Sequence, residues 1–160
     1  MHDLDLVEKE VQVTERPNSK ISRYLIKDPF ILFWYRYVQK NLALLEMGQS
    51  ASVTRTIADD LPNLEGRVLE MVFKEKILSN PPMDFDVAGS VFKNKEGIEI
   101  DFLLASQKLN RVHAYEIKRG NVNRKAELNR LLGRTARLKF KSIKLHNPQI
   151  TGVILNLQDM

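Results

Sequence analysis

With 160 residues, 43% of them hydrophobic, the chain suits one domain with a packed core and is too apolar for a disordered segment. It has no cysteine, which excludes disulfides and thiolate metal sites and suits a reducing cytoplasm. The net charge of +5 hides an uneven distribution: residues 119–144 hold nine Lys/Arg and one acid, Glu127, a local +8, while the rest sums to −3. A basic cluster on a nearly neutral body is the footprint of a polyanion-binding face, although a solvated helix surface gives the same count.

The start, "MHDLDLVEKE", lacks the basic-then-apolar order of a signal peptide, and "FILFWYRYV" is too short to span a bilayer and contains Arg36. A soluble cytoplasmic protein with no membrane partner is expected. Residues 6–14 alternate apolar and polar as a strand does, "RPNSK" reads as a turn, and "ISRYLIKDPF" as a second strand-like piece ending at Asp28-Pro29. Asp28 as cap and Pro29 in the first turn predict a helix to about Met47, closed by Gly48. Its aromatics (Phe30, Phe33, Trp34, Tyr35, Tyr37) are read as packing residues in preference to base-stacking ones. "QSASVT" reads as a polar loop.

From residue 60, Asp60 as cap and Pro62 near the first turn open a helix with the stripe Leu64, Val68, Leu69, Val72, Phe73 and Ile77. Pro81-Pro82 stops it. "MDFDVAGSVF" is a predicted strand and "KNKEG" a hairpin turn; "IEIDFLLA" and "RVHAYEIK" are two more strands joined by "SQKLN". "NRKAELNRLLGRTARLKF" predicts a helix with Leu128, Leu131, Leu132 and Leu138 inward and Arg130, Arg134, Arg137 and Lys141 as a basic stripe. "QITGVILNL" closes with an apolar strand. The expected order is helix, three strands, helix, strand, preceded by a small strand-helix segment.

Two of these strands carry charges that burial alone would not select. Glu116 and Lys118 share one strand face with Val112 and Ala114, and Asp101 shares a face with Glu99 and Leu103. Pairing through "SQKLN" would bring Asp101 and Glu116 together near one end of the sheet, where two carboxylates repel unless a proton or a cation intervenes. A hard divalent ion such as Mg²⁺ takes oxygen ligands of this kind, Lys118 beside it could hold a water, and Glu70 could supply a third carboxylate. Glu-x-Lys by itself is cheap, and taken without the order of elements it reads better as a solvent-facing salt bridge at a strand end, with Asp101 pointing into water. Elsewhere, His113 faces away from Glu116, and His2 and His146 have no clustered partners. Ser90, Ser106 and Ser142 lack an adjacent base, and Gly97 reads as a turn residue.

The order of elements together with Glu70, Asp101, Glu116 and Lys118 resembles the PD-(D/E)XK nuclease superfamily over about residues 60–157. The resemblance implies an α/β (α+β) fold with an α-β-β-β-α-β core, a mixed sheet flanked by helices. It implies that Asp101, Glu116 and the Ile117 carbonyl bind Mg²⁺ (or Mn²⁺), that Lys118 positions the attacking water, and that Glu70 completes the shell. "YLIKDPFILFWYRYVQKNLALLEMG", "GRVLE", "EIDFLLA" and "YEIK" are similar to the C-terminal region, domain of unknown function 234, of archaeal-type AAA-like ATPases. There an ATPase domain and a winged helix come first, and "LVEKEVQVTERPNSKISRYLI" looks like the wing strands. Residues 1–50 are accordingly expected to be a wing remnant with an aromatic linker helix, and residues 51–160 the nuclease-like domain. No G-x-x-x-x-G-K-[ST] occurs, so a P-loop is excluded, and a fragment of a longer ATPase or a stand-alone descendant is expected.

The implied function is metal-dependent hydrolysis of DNA phosphodiesters, with Arg119, Arg124, Arg130, Arg134, Arg137 and Lys141 neutralising backbone phosphates. The alternative is a catalytically inactive regulatory or docking domain of an AAA-like ATPase, binding DNA or protein. Apolar surface left by the winged-helix remnant also suits a homodimer.

Overall fold

The computed structural model describes residues 6–92 and 97–160; the "KNKEG" turn, apart from Gly97, and His2 lie outside the described residues. The chain opens with an antiparallel hairpin of β1 (Val7–Val11) and β2 (Ser22–Ile26), in register from Val7↔Ile26 to Val11↔Ser22. Asp28 caps α1 (Pro29–Phe33) as expected, its Oδ1 accepting the Ile31 N–H at 3.0 Å. The chain then stays helical to Glu46 without being one regular helix. A π turn at Trp34–Val38 and a 3₁₀ turn at Gln39–Asn41 precede α2 (Leu42–Glu46), and Gly48 ends the run at φ 75°.

Asp60 does not begin the next helix. α3 runs from Ser50 to Ser79, so the expected polar loop is helical and Asp60 and Pro62 lie inside it. The stretch from Ser50 to Asp59 contains no Gly or Pro to break a helix, and Pro62 forfeits a single bond of the ladder. Asp60 finds its partners across the helix pair instead. Arg36 donates to both carboxylate oxygens at 2.5 and 2.9 Å and the Tyr37 hydroxyl donates at 2.8 Å. The π turn brings both residues to Asp60 while Tyr37 is buried to 2% exposure against Leu32 and Leu64, with Phe33 edge-on to its ring at 5.1 Å.

Beyond α3 the chain forms one four-stranded sheet, β3 (Val87–Val91), β4 (Ile100–Ser106), β5 (Arg111–Lys118) and β6 (Gln149–Asn156), lying side by side in that order. β3–β4 and β4–β5 are antiparallel and β5–β6 is parallel, so the sheet is mixed. Parallel neighbours need a crossover, which α4 (Arg124–Thr135) begins, capped by Asn123. The architecture is therefore mixed α and β, with the helix, three-strand, helix, strand order that the sequence leads one to expect.

Both faces of the sheet are covered, which explains the nearly unbroken apolar runs of β4 and β5. Phe102, Leu104 and Tyr115 pack with Ile77, and Ile117 packs with Leu69 and Phe73, all three partners from α3. On the opposite face Leu103, Ala105, Val112, Ala114 and Ile154 pack with Leu131 of α4. α4 sits close to β6 because residue 152 is glycine: a Cβ there would come within 2.6 Å of the Leu128 Cδ1. α4 is shorter than expected, ending at Thr135, although Leu138 and Phe140 still pack on the core from the irregular segment that follows. β3 has a bulge between Gly89 and Val91, and there the N-terminal hairpin leans on its edge, the Val13 N–H donating to the Ser90 carbonyl at 3.2 Å.

Phe73, at 1% exposure, fixes α3 to the strand that carries Glu116, and so sets the position of Glu70 on the same helix. Phe73→Ala is expected to cost about 3–5 kcal/mol, measured by urea unfolding. A loss below about 1 kcal/mol would mean that α3 is not anchored there.

Candidate functional site

The backbone ladder between β4 and β5 runs from Ser106↔Arg111 to Phe102↔Tyr115, and Asp101 and Glu116 are the next residues along. The Asp101 side chain closes the ladder, its Oδ2 accepting the Ile117 N–H at 2.7 Å. Glu116, one residue back on β5, is 4% exposed and has both oxygens engaged. Its Oε1 lies 2.6 Å from the Lys118 Nζ and its Oε2 accepts from Arg134 Nη2 at 2.7 Å. The alternation of β5 puts Glu116 and Lys118 on the face toward α4, which lets Arg134 in the last turn of that helix reach the carboxylate. Arg134 Nη1 also donates to the Glu99 carbonyl at 2.9 Å.

The electrostatics show a crowded acidic corner. Burial pushes the Asp101 carboxyl up to about 7; the Ile117 N–H works against this, Glu116 and Glu70 add to it, and Lys118 opposes it. Burial also raises Glu70, against the pull of Lys74 and Arg23. For Lys118, burial would lower the pKa, but the Glu116 carboxylate outweighs it and raises the ammonium above its usual range. The structure therefore brings Glu70, Glu116 and Lys118 each into electrostatic range of Asp101. Among the described residues no three His, Asp or Glu side chains stand close enough to form a ready metal cage. The donor set that does converge is two carboxylates at facing strand ends, with Glu70 nearby. All of it is oxygen, the chemistry of a hard divalent cation that keeps several waters, and in that sense the residues fit one.

The expected basic stripe is not a single solvated row. Arg134 points at Glu116, Arg137 and Lys141 lie beyond the end of α4, and Lys141 pairs with Glu15 at 2.8 Å. Arg119 pairs with Glu65 at 2.6 Å, Arg124 with Asp159 at 2.8 Å and Arg130 with Glu127 at 2.6 Å, all at exposed positions. Such surface pairs are worth little and open readily to a stronger anion. Arg130, Arg134 and Arg137 line one side of an open depression of about 700 Å³, with Glu116 and Lys118 at its wall.

Sequence reasoning missed a second network behind Asp101. Ser90, in the β3 bulge, is 2% exposed; its Oγ lies 2.8 Å from the Asp101 carbonyl and 2.7 Å from the Glu10 Oε1, and accepts from the Lys74 Nζ at 2.8 Å. Arg23 holds the other Glu10 oxygen at 2.6 Å. Burial would raise Glu10, but Lys74, Ser90 and Arg23 together outweigh it and hold the carboxyl below its usual range. Lys74 lies one helical turn from Glu70, the one signal of this network available in the sequence. His113 is half-buried, its pKa lowered by burial and by Arg111, and His146 is exposed.

Because Asp101 titrates at 3.8 ordinarily and about 7 when folded, the folded protein holds a proton there that the unfolded chain has released. Stability from this group is present at low pH and falls as pH rises from about 4 to 7. Asp101→Asn should therefore gain melting temperature relative to wild type between pH 5 and pH 8. A constant difference across that range would show that burial does not raise the Asp101 carboxyl.

No helix among the described residues is long and apolar enough to cross a membrane. A family model for DUF234, archaeal and bacterial proteins of unknown function, matches residues 34–130, a stretch that contains Glu70, Asp101, Glu116 and Lys118. The chain is 36% identical over 76 residues to an uncharacterized protein of Methanocaldococcus jannaschii, a match covering 48% of this chain and 17% of that relative. No solved structure matches. The chain belongs to the DUF234 family.

Proposed function

We propose that this chain is a PD-(D/E)XK-like, metal-dependent phosphodiesterase acting on DNA. The observation that carries the reading is the meeting of Asp101 and Glu116 at the facing ends of β4 and β5, with Lys118 on the same strand face as Glu116. The α-β-β-β-α-β order of the fold supports it. Asp101 and Glu116 would hold Mg²⁺ or Mn²⁺, with the Ile117 carbonyl and Glu70 completing the shell; the ion, when bound, supplies Lewis-acid charge at the scissile phosphate. Lys118 is protonated at neutral pH, so it orients the attacking water by donating a hydrogen bond and offsets charge on the phosphate, without taking up the water's proton. Arg137 meets backbone phosphates directly, and Arg119, Arg124, Arg130 and Lys141 do so once their surface acids release them. Those contacts carry no base information, so affinity falls with salt and is indifferent to sequence.

A second reading rests on a different observation. Phe30, Trp34 and Tyr35 are 68%, 38% and 54% exposed on the irregular helix, more than packing residues need. In this reading the chain is the docking domain of an AAA-like ATPase, and that aromatic surface meets a partner protein or a second copy.

The two readings part at the carboxylates. Nicking of supercoiled DNA with Mg²⁺ or Mn²⁺ is expected from the wild type and should fall at least about a hundredfold in Asp101→Ala and Glu116→Ala, with DNA affinity within a few-fold of wild type. Absence of metal-dependent nicking, or equal nicking by the variants, would remove the nuclease reading and leave the docking one.

A further inference from the structure

The geometry points to Arg134 as an internal cation that holds the site shut. It sits on the Glu116 oxygen that a divalent ion would need, and it is exchanged for that ion and delivered to a phosphate. The inference rests on the proposed metal-dependent reading and adds to it a coupling between ion and anion.

Glu116 is nearly withdrawn from water, and neither of its oxygens is free: Lys118 takes one and Arg134 the other. Each oxygen keeps a second lone pair, but a cation within 2.7 Å of it repels an incoming divalent ion, so inner-shell binding is favoured once one cation lets go. Lys118 is two residues away on the same strand and has a short tether. Arg134 comes from another element, α4, one residue before that helix ends, where the backbone gives way to irregular structure. Its hold is also incomplete. Nη1 and Nη2 are bonded to the Glu99 carbonyl and to Glu116, while Nε is buried and has no partner among the described residues. A buried donor left unpaired weakens the docked state, so Arg134 is the cation better placed to leave.

The side chain has somewhere to go. The depression in front of Glu116 is open, and Arg130 and Arg137 line it together with Arg134. Swung outward, Arg134 adds a third guanidinium to a cluster suited to a phosphate oxygen. Ion entry at Glu116 and phosphate capture in the depression then favour one another, and by linkage each raises the affinity for the other.

The test is Mn²⁺ affinity, measured by electron paramagnetic resonance of the free ion, with and without inorganic phosphate. Arg134→Gln should bind Mn²⁺ about tenfold more tightly than wild type, within the range usual for coupled sites, and should lose the gain that phosphate gives the wild type. Arg134→Lys, which keeps the charge but not the two-point hold, should fall between them, and it serves if the glutamine variant folds poorly by circular dichroism. Arg137→Gln removes the same charge from the same depression and should change Mn²⁺ affinity far less. Equal tightening in Arg134→Gln and Arg137→Gln would overturn the exchange in favour of bulk charge, and unchanged or weaker binding in Arg134→Gln would overturn it outright. The parent reading fails separately, if Glu116→Gln binds Mn²⁺ as the wild type does or if no variant binds it.

Discussion

A carboxylate that is almost out of water and held between two cations is the constraint around which this molecule is arranged. Glu116 is 4% exposed on a strand with helices over both faces. Losing both partners would leave its charge uncompensated in a low dielectric, far costlier than losing a surface pair, whereas losing one leaves a single buried ion pair. Lys118 is supplied by the alternation of β5 and Arg134 by the crossover helix that parallel pairing of β5 and β6 requires. Asp101 reaches the same corner because the β4–β5 ladder stops one residue short, leaving the Ile117 N–H to be met by a side chain. Hence the crowding is built from backbone topology, and no single loop can relieve it.

Behind this corner the N-terminal hairpin joins the sheet through polar contacts. Glu10, Arg23, Lys74 and Ser90 form a satisfied network whose hydroxyl touches the carbonyl of Asp101. Residues from β1, β2, α3 and β3 thus support the strand end that carries the acid, and the bulge at Gly89–Val91 is what turns Ser90 into that role. Residues 1–50, read from sequence as a separate small segment, therefore contribute the hairpin that braces the candidate site.

How far the sequence went depended on the range of the interactions. Asp101, Glu116 and Lys118 were legible because charges stand out in the nearly unbroken apolar runs of β4 and β5, and a period of two assigns their strand faces without any knowledge of tertiary contacts. Glu70 followed from the apolar stripe of α3. Asp60 was misread because Asp with Pro two residues later is a strong helix-start signal; only Arg36 and Tyr37, more than twenty residues earlier, give it a better use. The basic stripe failed for a local reason. It assumed helix as far as Lys141, whereas α4 stops at Thr135 and its last-turn arginine faces the sheet. The Ser90–Glu10 contact joins residues 80 positions apart and left no trace in any local pattern.

The central claim is that Asp101 and Glu116 are a cation site. Crystals of the protein grown or soaked with Mn²⁺ answer it through anomalous scattering. The account predicts a peak between the two carboxylates, within about 2.0–2.3 Å of one oxygen of each, with Arg134 moved off Glu116. Strong peaks at surface acids alone, with Arg134 and Lys118 still on Glu116 at saturating Mn²⁺, would contradict it.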